Sequence, residues 1–309
     1  DRARAATDRA RAAEDRDRAA HDRRRWRSEV QRAYRDELTG LDTHGLIARL
    51  RREASIHDDD LAALHARLDC AEDELQDLRA IQQALTPPHL PTRPGLDLSA
   101  AFLPAAERVS GDFYLVAEGP DGGSVLVVGD VVGHGLHAAR RATFVRTAFL
   151  AIAPFSDDPT QLLNWVNTAL IERAGTGSEF ITAACLTYLP SQRRLRWAYA
   201  GHPPALWLDG GVELTATRQG IPLGIDTDLG CLEGSRLAPA GTGILLYTDG
   251  LTEARREGSL LGIDAVTRAL AGLRGPTPAE AIAALSALAA DYTTGALTDD
   301  LCLLAARMN

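Results

Sequence analysis

The apolar positions of residues 58–86 are spaced alternately three and four apart. They begin after the acidic cluster Asp58–Asp60 and stop at the first proline of the chain, Pro87, and the seam they form consists of Leu61, Leu64, Leu68, Ala71, Leu75, Leu78, Gln82 and Leu85. This is the a/d pattern of a coiled coil, and the polar residues between these positions leave no second apolar face. We therefore predict a parallel, dimeric coiled coil over residues 58–86. A one-sided helix that packs on its own domain is the alternative.

Residues 1–57 are predicted to be helical as well, but their apolar pattern is weaker. The first 28 residues repeat every seven, as DRARAAT, DRARAAE, DRDRAAH and DRRRWRS, and the repeated stripe is alanine. Alanine favours helix but buries little area, so a solvated single helix and a coiled coil fit equally well. The DELTGL segment at 36–41 resembles the D-x-L-T-G-L sequence that joins a signalling helix to a diguanylate cyclase domain. No room for such a domain remains before Pro87, so we interpret the segment as a helix-to-helix junction.

After Pro87 the pattern changes to short apolar runs separated by turns. We predict strands at 96–102, 112–117, 124–128, 180–188, 195–200, 205–208, 243–247 and 301–305. Longer helical patterns occur at about 135–153, 159–174, 262–273 and 277–292. Strands and helices that do not alternate regularly predict an α+β layered sandwich rather than a doubly wound parallel sheet. Residues 87–309 are long enough to form one well-buried domain.

Composition and charge exclude several functions. The net charge is −9, and residues 86–309 carry 16 Arg against 23 acidic residues, a net charge of −7. No basic stripe typical of nucleic-acid binding is present in this part, and no apolar run approaches the roughly 18 residues that span a membrane. The four cysteines (Cys70, Cys185, Cys231 and Cys302) are scattered without a C-x-x-C pair, which argues against zinc or disulfides and favours the reducing cytosol.

Acidic residues stand at the ends of four predicted strands. Asp112 opens one strand, Asp130 and Asp249 each follow an apolar strand, and the pair Asp299 and Asp300 precedes the last strand. Each position alone is compatible with a common turn. Four together predict a carboxylate cluster, and because clustered carboxylates repel one another they favour a hard cation such as Mg²⁺ or Mn²⁺.

The motifs around these residues resemble the stage-II-sporulation-E and RsbU-type branch of the PPM metal-dependent serine/threonine protein phosphatases. The resemblance covers residues 80–308 in one collinear order. The motifs are Gln-x-Ala-Leu-x-Pro-Pro-x-Leu-Pro ending at 91, Gly-Asp-Phe-Tyr at 111–114, Gly-Asp-Val-Val-Gly-His-Gly at 129–135, Phe-Ile-Thr at 180–182, Ala-Gly-His-Pro-Pro at 200–204, Pro-Leu-Gly at 222–224, Tyr-Thr-Asp-Gly at 247–250 and Thr-Asp-Asp at 298–300. The resemblance implies a four-layer αββα sandwich.

The resemblance also implies a site for two Mn²⁺ or Mg²⁺ ions. The implied ligands are Asp112, Asp130, the backbone carbonyl of Val131, Asp249, and either Asp299 or Asp300. In this assignment Asp130 bridges both ions, Asp112 holds the second ion, and the motif alignment favours Asp299 over Asp300. Ser110, where glycine is usual, and Leu115, where aspartate often stands, depart from the family pattern without removing a ligand.

Two histidines lie in these motifs. Asp130 is the implied catalytic residue, and His134 is a candidate proton donor to the leaving serine oxygen. The alternative, which we favour, is that His134 shapes the strand-to-helix turn. For His202 a structural turn is favoured more strongly. The implied chemistry is direct hydrolysis of a phosphoserine or phosphothreonine ester without a phosphoenzyme.

The partners implied by the resemblance are a phosphorylated STAS-domain antagonist of an anti-sigma factor and a second copy of the chain through the coiled coil. No nucleic acid and no membrane segment are expected, and the expected location is cytoplasmic. Two other interpretations remain: a phosphatase-fold module or scaffold without activity, and a cyclic-dinucleotide-responsive regulator that works through residues 29–57.

Overall fold

A computed structural model describes residues 90–105, 110–133, 135–174, 180–256, 258–293, 297 and 299–309. The helices predicted for residues 1–57 and the coiled coil predicted for 58–86 lie outside these residues. The described strands are β1 (Leu96–Leu103), β2 (Phe113–Glu118), β3 (Ser124–Val131), β4 (Ile181–Leu189), β5 (Arg194–Ala200), β6 (Leu206–Trp207), β7 (Gly234–Leu237), β8 (Gly243–Tyr247), β9 (Arg255–Arg256), β10 (Ser259–Leu260) and β11 (Leu301–Met308). The helices are α1 (Leu136–Ile152), α2 (Pro159–Ala174), α3 (Ile263–Gly272) and α4 (Pro278–Tyr292).

Two antiparallel sheets form the centre of the domain. One has the strand order β1-β11-β8-β6 and the other β2-β3-β4-β5-β7, while β9 and β10 form a separate hairpin. The end of β3 pairs with the start of β4, with Asp130 opposite Thr182. In the other sheet β8 pairs with β11, with Tyr247 opposite Leu303. Acidic motifs lie at the ends of β3 and β8 and just before β2 and β11.

The side chains of each central strand are divided between two apolar cores. In β3, Val125 and Val127 contact the core beneath α1 and α2, whereas Leu126 and Val128 belong to the core between the sheets. A third core joins β8 and β11 to α3 and α4. Because successive residues of a strand point to opposite faces, a strand between two apolar layers is apolar throughout rather than alternating. The result is a four-layer αββα sandwich, which confirms the predicted fold class.

The predicted helix limits agree with the structure to within one residue, but β7 and the β9–β10 hairpin were not predicted. β7 is an edge strand with mostly exposed side chains, and β9 and β10 are exposed along their length. Such strands lack the apolar runs from which the others were predicted. None of the helices in the described ranges is long and apolar enough to span a membrane.

Candidate metal centre

The acidic residues predicted from sequence converge on one end of the two sheets. Asp130 is the second-last residue of β3, and Asp112 directly precedes β2, whose first residue, Phe113, pairs with Gly129. Asp112 and Asp130 therefore lie side by side on the five-stranded sheet. On the facing sheet Asp249 follows β8 in a 3-10 turn, and Asp299 and Asp300 precede the neighbouring strand β11.

Burial and mutual repulsion raise the pKa of most of these carboxyl groups. Burial and then the charge of Asp130 raise the pKa of Asp112 well above its ordinary value, and burial followed by the charge of Asp249 raises the pKa of Asp130 to about 6. The pKa of Asp249 is raised by burial and then by Asp299. The interactions cross between the sheets, so the cluster is one electrostatic unit.

Thr248 holds Asp112 in place from the opposite sheet. This fully buried residue donates a hydrogen bond from Oγ1 to Asp112 Oδ2 at 2.6 Å and accepts one from the Cys302 N–H at 3.0 Å. The Thr248 N–H in turn donates to the Cys302 carbonyl at 3.0 Å. The hydroxyl therefore connects β8 and β11 to the residue before β2. The sequence gives no sign of this role of Thr248 beyond its position in the Tyr-Thr-Asp-Gly motif.

Asp299 and Asp300 are in different environments. Asp300 is buried, and its Oδ1 accepts a hydrogen bond from the Ala105 N–H at 2.8 Å. It also accepts hydrogen bonds from Ser110 and from the Gly111 backbone, which oppose the rise in its pKa caused by burial. These donors occupy the Asp300 carboxylate and place the segment that leads to Asp112. Asp299 is exposed, which leaves it more accessible to an ion than Asp300.

Two glycines allow the backbone segments of the site to touch. A Cβ on Gly250 would lie 1.9 Å from the Asp300 carbonyl oxygen, and a Cβ on Gly111 would lie 2.6 Å from the Val131 carbonyl oxygen. Real Cβ atoms do not approach backbone this closely, so both contacts require glycine. Gly250 brings the Asp249 turn against Asp300, and Gly111 brings Asp112 against the carbonyl that we predicted as a ligand.

His202 connects the start of β4 with the end of β8. Its Nδ1 lies 2.8 Å from Thr182 Oγ1 and its Nε2 lies 3.0 Å from the Tyr247 carbonyl oxygen. Because a carbonyl oxygen only accepts, Nε2 carries the proton and the Thr182 hydroxyl donates to Nδ1. Burial lowers the pKa of His202 to about 4, so the ring is neutral at pH 7. A structural turn was predicted for His202, and its two hydrogen bonds also make it a cross-link between the sheets. His134 lies outside the described residues.

The donor set suits a hard divalent cation, although the carboxylates are not arranged around one point. Within the described ranges, no group of three or more His, Cys, Asp or Glu side chains has the arrangement of a formed metal site. Instead, burial and the charge of Asp130 raise the pKa of Asp112, so the two carboxyl groups repel each other. Oxygen ligands of this kind are those that Mg²⁺ and Mn²⁺ prefer, and a cation would relieve that repulsion. The residues therefore fit the predicted ions.

The layered architecture is the fold of PP2C-type phosphatase domains. The SiaA-PP2C domain of Pseudomonas aeruginosa matches it with a TM-score of 0.65 at 23% identity, over 79% of this chain and 99% of that domain. The RsbU and RsbW domains of a Mycobacterium tuberculosis protein match with a TM-score of 0.57 at 29% identity, over 71% of this chain and 62% of that one.

The chain belongs to the Stage II sporulation protein E (SpoIIE) family, whose model matches residues 120–309. It is similar to the phosphoserine phosphatase RsbU of Bacillus subtilis strain 168, with 27% identity over 190 residues, which are 61% of this chain and 56% of that protein. The chain spans about half the length of the curated relatives it matches. These matches confirm the resemblance recognised from the motifs.

We predict that Gly250→Ala destabilises the protein by about 1–3 kcal/mol, because the new methyl group would overlap the Asp300 carbonyl. The matched control is Gly272→Ala at the end of α3, where no atom lies within 4 Å of the added Cβ. We expect the control to be neutral or slightly stabilising, since alanine favours helix. Urea unfolding of both variants measures the difference. Equal stability of the two variants would show that the close approach is not required.

We predict that His202 makes stability fall with acidity. Its pKa is about 4 in the folded state against 6.5 for the ordinary group, so the unfolded chain takes up a proton first as the pH falls below 6.5. The stabilisation is complete above pH 6.5 and is lost as the pH falls toward 4. The loss between pH 7.5 and 5 is about 2 kcal/mol. Between pH 7.5 and pH 5, the free energy of unfolding should therefore decrease more in the wild type than in His202→Gln. The same pH dependence in both proteins would contradict the buried neutral ring.

Proposed function

We propose that this chain is a metal-dependent protein serine/threonine phosphatase. The observation that supports this most directly is the carboxylate cluster at the joint end of the two sheets, in a fold shared with PP2C-type domains. The relative RsbU bears the name phosphoserine phosphatase and matches 190 residues of this chain. The proposed phosphatase domain comprises residues 87–309.

The proposed ligands are Asp112, Asp130, the Val131 carbonyl, Asp249 and Asp299, holding two Mn²⁺ or Mg²⁺ ions. When bound, such ions supply Lewis-acid chemistry: they activate a water molecule as the nucleophile and neutralise charge on the phosphoryl group. Asp130 is the proposed ligand of both ions, and the support is that both Asp249 and Asp112 influence its pKa. Asp300 is proposed as an anchor of Ala105, Ser110 and Gly111 rather than as a ligand, because it accepts hydrogen bonds from these residues.

The chain's own residues set the geometry of the reaction. Thr248 fixes the orientation of Asp112 by its hydrogen bond, and Gly111 keeps the Val131 carbonyl within reach of the same region. His202 holds the Tyr247 carbonyl, two residues before Asp249, against the strand that pairs with Asp130. Carboxylates from both sheets are therefore kept in a fixed relation, which is the requirement for catalysis by positioned groups.

The proposed substrate is a phosphorylated STAS-type antagonist of an anti-sigma factor in a partner-switching pathway. The support is the similarity to RsbU and to the RsbU and RsbW domains of the Mycobacterium tuberculosis protein. A cytosolic location is proposed because the described cysteines, Cys185, Cys231 and Cys302, are free and buried. A phosphatase-fold module without activity is the second candidate, and the complete set of carboxylates argues against it.

We predict that purified protein hydrolyses p-nitrophenyl phosphate when Mn²⁺ is added, and that Asp130→Asn lowers kcat/KM at least about 100-fold. Asparagine keeps the shape of the side chain but removes a ligand charge. Asp97→Asn on β1, where the side chain is exposed, is the matched control and should retain full activity. Full activity of the Asp130 variant would refute the assigned site.

The same Asp130 variant should not be less stable than the wild type in EDTA at pH 8. Neutralising one member of the cluster removes repulsion with Asp112 and Asp249, so we expect an unchanged or higher melting temperature. Thermal unfolding of the metal-free proteins measures this. Loss of activity together with a lower melting temperature would mean that the variant is misfolded and would not support a role in catalysis.

We further propose that the heptads of residues 58–86 form a dimeric coiled coil that regulates the domain. Insertion of one residue after Leu78 should shift the seam by about 100° and change the activity toward a phosphoprotein, whereas insertion of seven residues restores the phase. Phosphatase assays on the two insertion variants measure this effect. Identical activity of both variants and the wild type would contradict coupling.

A further inference from the structure

A basic groove lies between α1 and α2 on the outer face of the five-stranded sheet. It has a volume of about 270 Å³ and is lined by His137, Arg140, Arg141, Phe144, Leu170 and Arg173. Three of these six side chains are arginines and none is acidic. The lining of the groove is therefore basic, whereas residues 86–309 as a whole carry a net charge of −7.

Arg173 packs on an aromatic ring, and its charge acts on Arg141. The guanidinium of Arg173 lies 4.5 Å from the centre of the Phe144 ring. The pKa of Arg141 is lowered, first by burial and then by the positive charge of Arg173. Arg140 and Arg173 are exposed, and the planar forks of their guanidinium groups match the oxygens of carboxylate and phosphate groups.

The helix geometry presents these groups on one surface. His137, Arg141 and Phe144 are spaced by four and three residues along α1, and Leu170 and Arg173 by three along α2, so each set lies on one helix face. The groove is also close to the acidic cluster along the chain. His137 follows Asp130 by seven residues, which limits their separation to roughly 25 Å. A flexible peptide of about eight residues could span that distance.

We propose that this groove docks an acidic segment of the phosphoprotein substrate. The inference rests on the proposed phosphatase function and adds the chemistry by which the substrate is selected. The carboxylate cluster repels anionic segments, and a separate basic groove offsets that repulsion outside the reaction site. A nucleic acid fits less well, because the groove is short and a polyanion would extend beyond it onto a domain whose residues 86–309 carry a net charge of −7.

Direct binding tests the groove without catalysis. The probe is a fluorescein-labelled peptide of twelve glutamates, added to the full chain in low salt and followed by fluorescence anisotropy. We expect Arg140→Glu with Arg173→Glu to weaken binding at least about tenfold, because two attractive charges become repulsive. Both side chains are exposed, so the variant should fold. The control pair, Arg268→Glu with Arg274→Glu, makes the same charge change at exposed positions in and after α3 and should bind as the wild type does.

Turnover then tests whether the groove selects substrates. Two phosphoserine peptides of equal length, one with glutamate and one with glutamine flanks, are compared by kcat/KM in the presence of Mn²⁺. The wild type and the control pair should prefer the acidic peptide about tenfold, mainly through KM, and the groove variant should lose that preference. The preference is a ratio within one protein, so it does not depend on the overall activity of the variant.

Three results would overturn the proposal: equal anisotropy in the wild type and the groove variant, an equal loss in the control pair, or a single-stranded DNA oligonucleotide that binds the groove more tightly than the peptide. Failure of every protein to hydrolyse p-nitrophenyl phosphate would refute the phosphatase function instead. In that case the anisotropy measurement still decides whether the groove binds acidic peptides.

Discussion

Four buried or half-buried carboxyl groups have to be held together where the ends of two sheets meet, although their charges repel. Burial raises the pKa of Asp112 and Asp130 and makes each of them sensitive to its neighbours. Such an arrangement persists only when other contacts fix the strands that carry the charges. Here those contacts are hydrogen bonds between the sheets: the Thr248 hydroxyl to Asp112, and His202 between Thr182 and the Tyr247 carbonyl. The arrangement of the whole site depends on them.

These contacts follow from the alternation of side chains along the strands. Leu126 and Val128 of β3 and Leu246 of β8 point into the core between the sheets. Every second residue of a strand faces the same side, so Asp130 and Thr248 at the strand ends also face inward. The inner face is thus apolar in the middle of the sheets and polar at one end. Because both sheets obey the same rule, the polar ends meet, and the site needs no irregular strand to form it.

The sequence predicted the layers and the acidic residues well because both leave strong patterns. Apolar runs marked the central strands, and Asp112, Asp130 and Asp249 stood at their ends. The roles of Thr248 and His202 could not be derived in this way, since both act across sheets that are far apart in sequence. The motif alignment favoured Asp299 over Asp300 as a ligand, but the physical difference, that Asp300 accepts the Ala105 N–H, could not be derived from the sequence. Exposed edge strands such as β7 left no apolar pattern at all.

The helix α1 separates two regions of opposite charge. It begins shortly after Asp130, at the acidic end of the sheets, and its first turns carry Arg140 and Arg141 into the groove with α2. Bound cations would reduce the negative charge of the cluster only locally, so an anionic protein approaching an acidic domain still meets net repulsion. Positive charge near the site, but outside it, lowers this barrier without occupying the carboxylates. A short connection between Asp130 and α1 is therefore sufficient to combine the acidic candidate site with the proposed basic docking groove in one small domain.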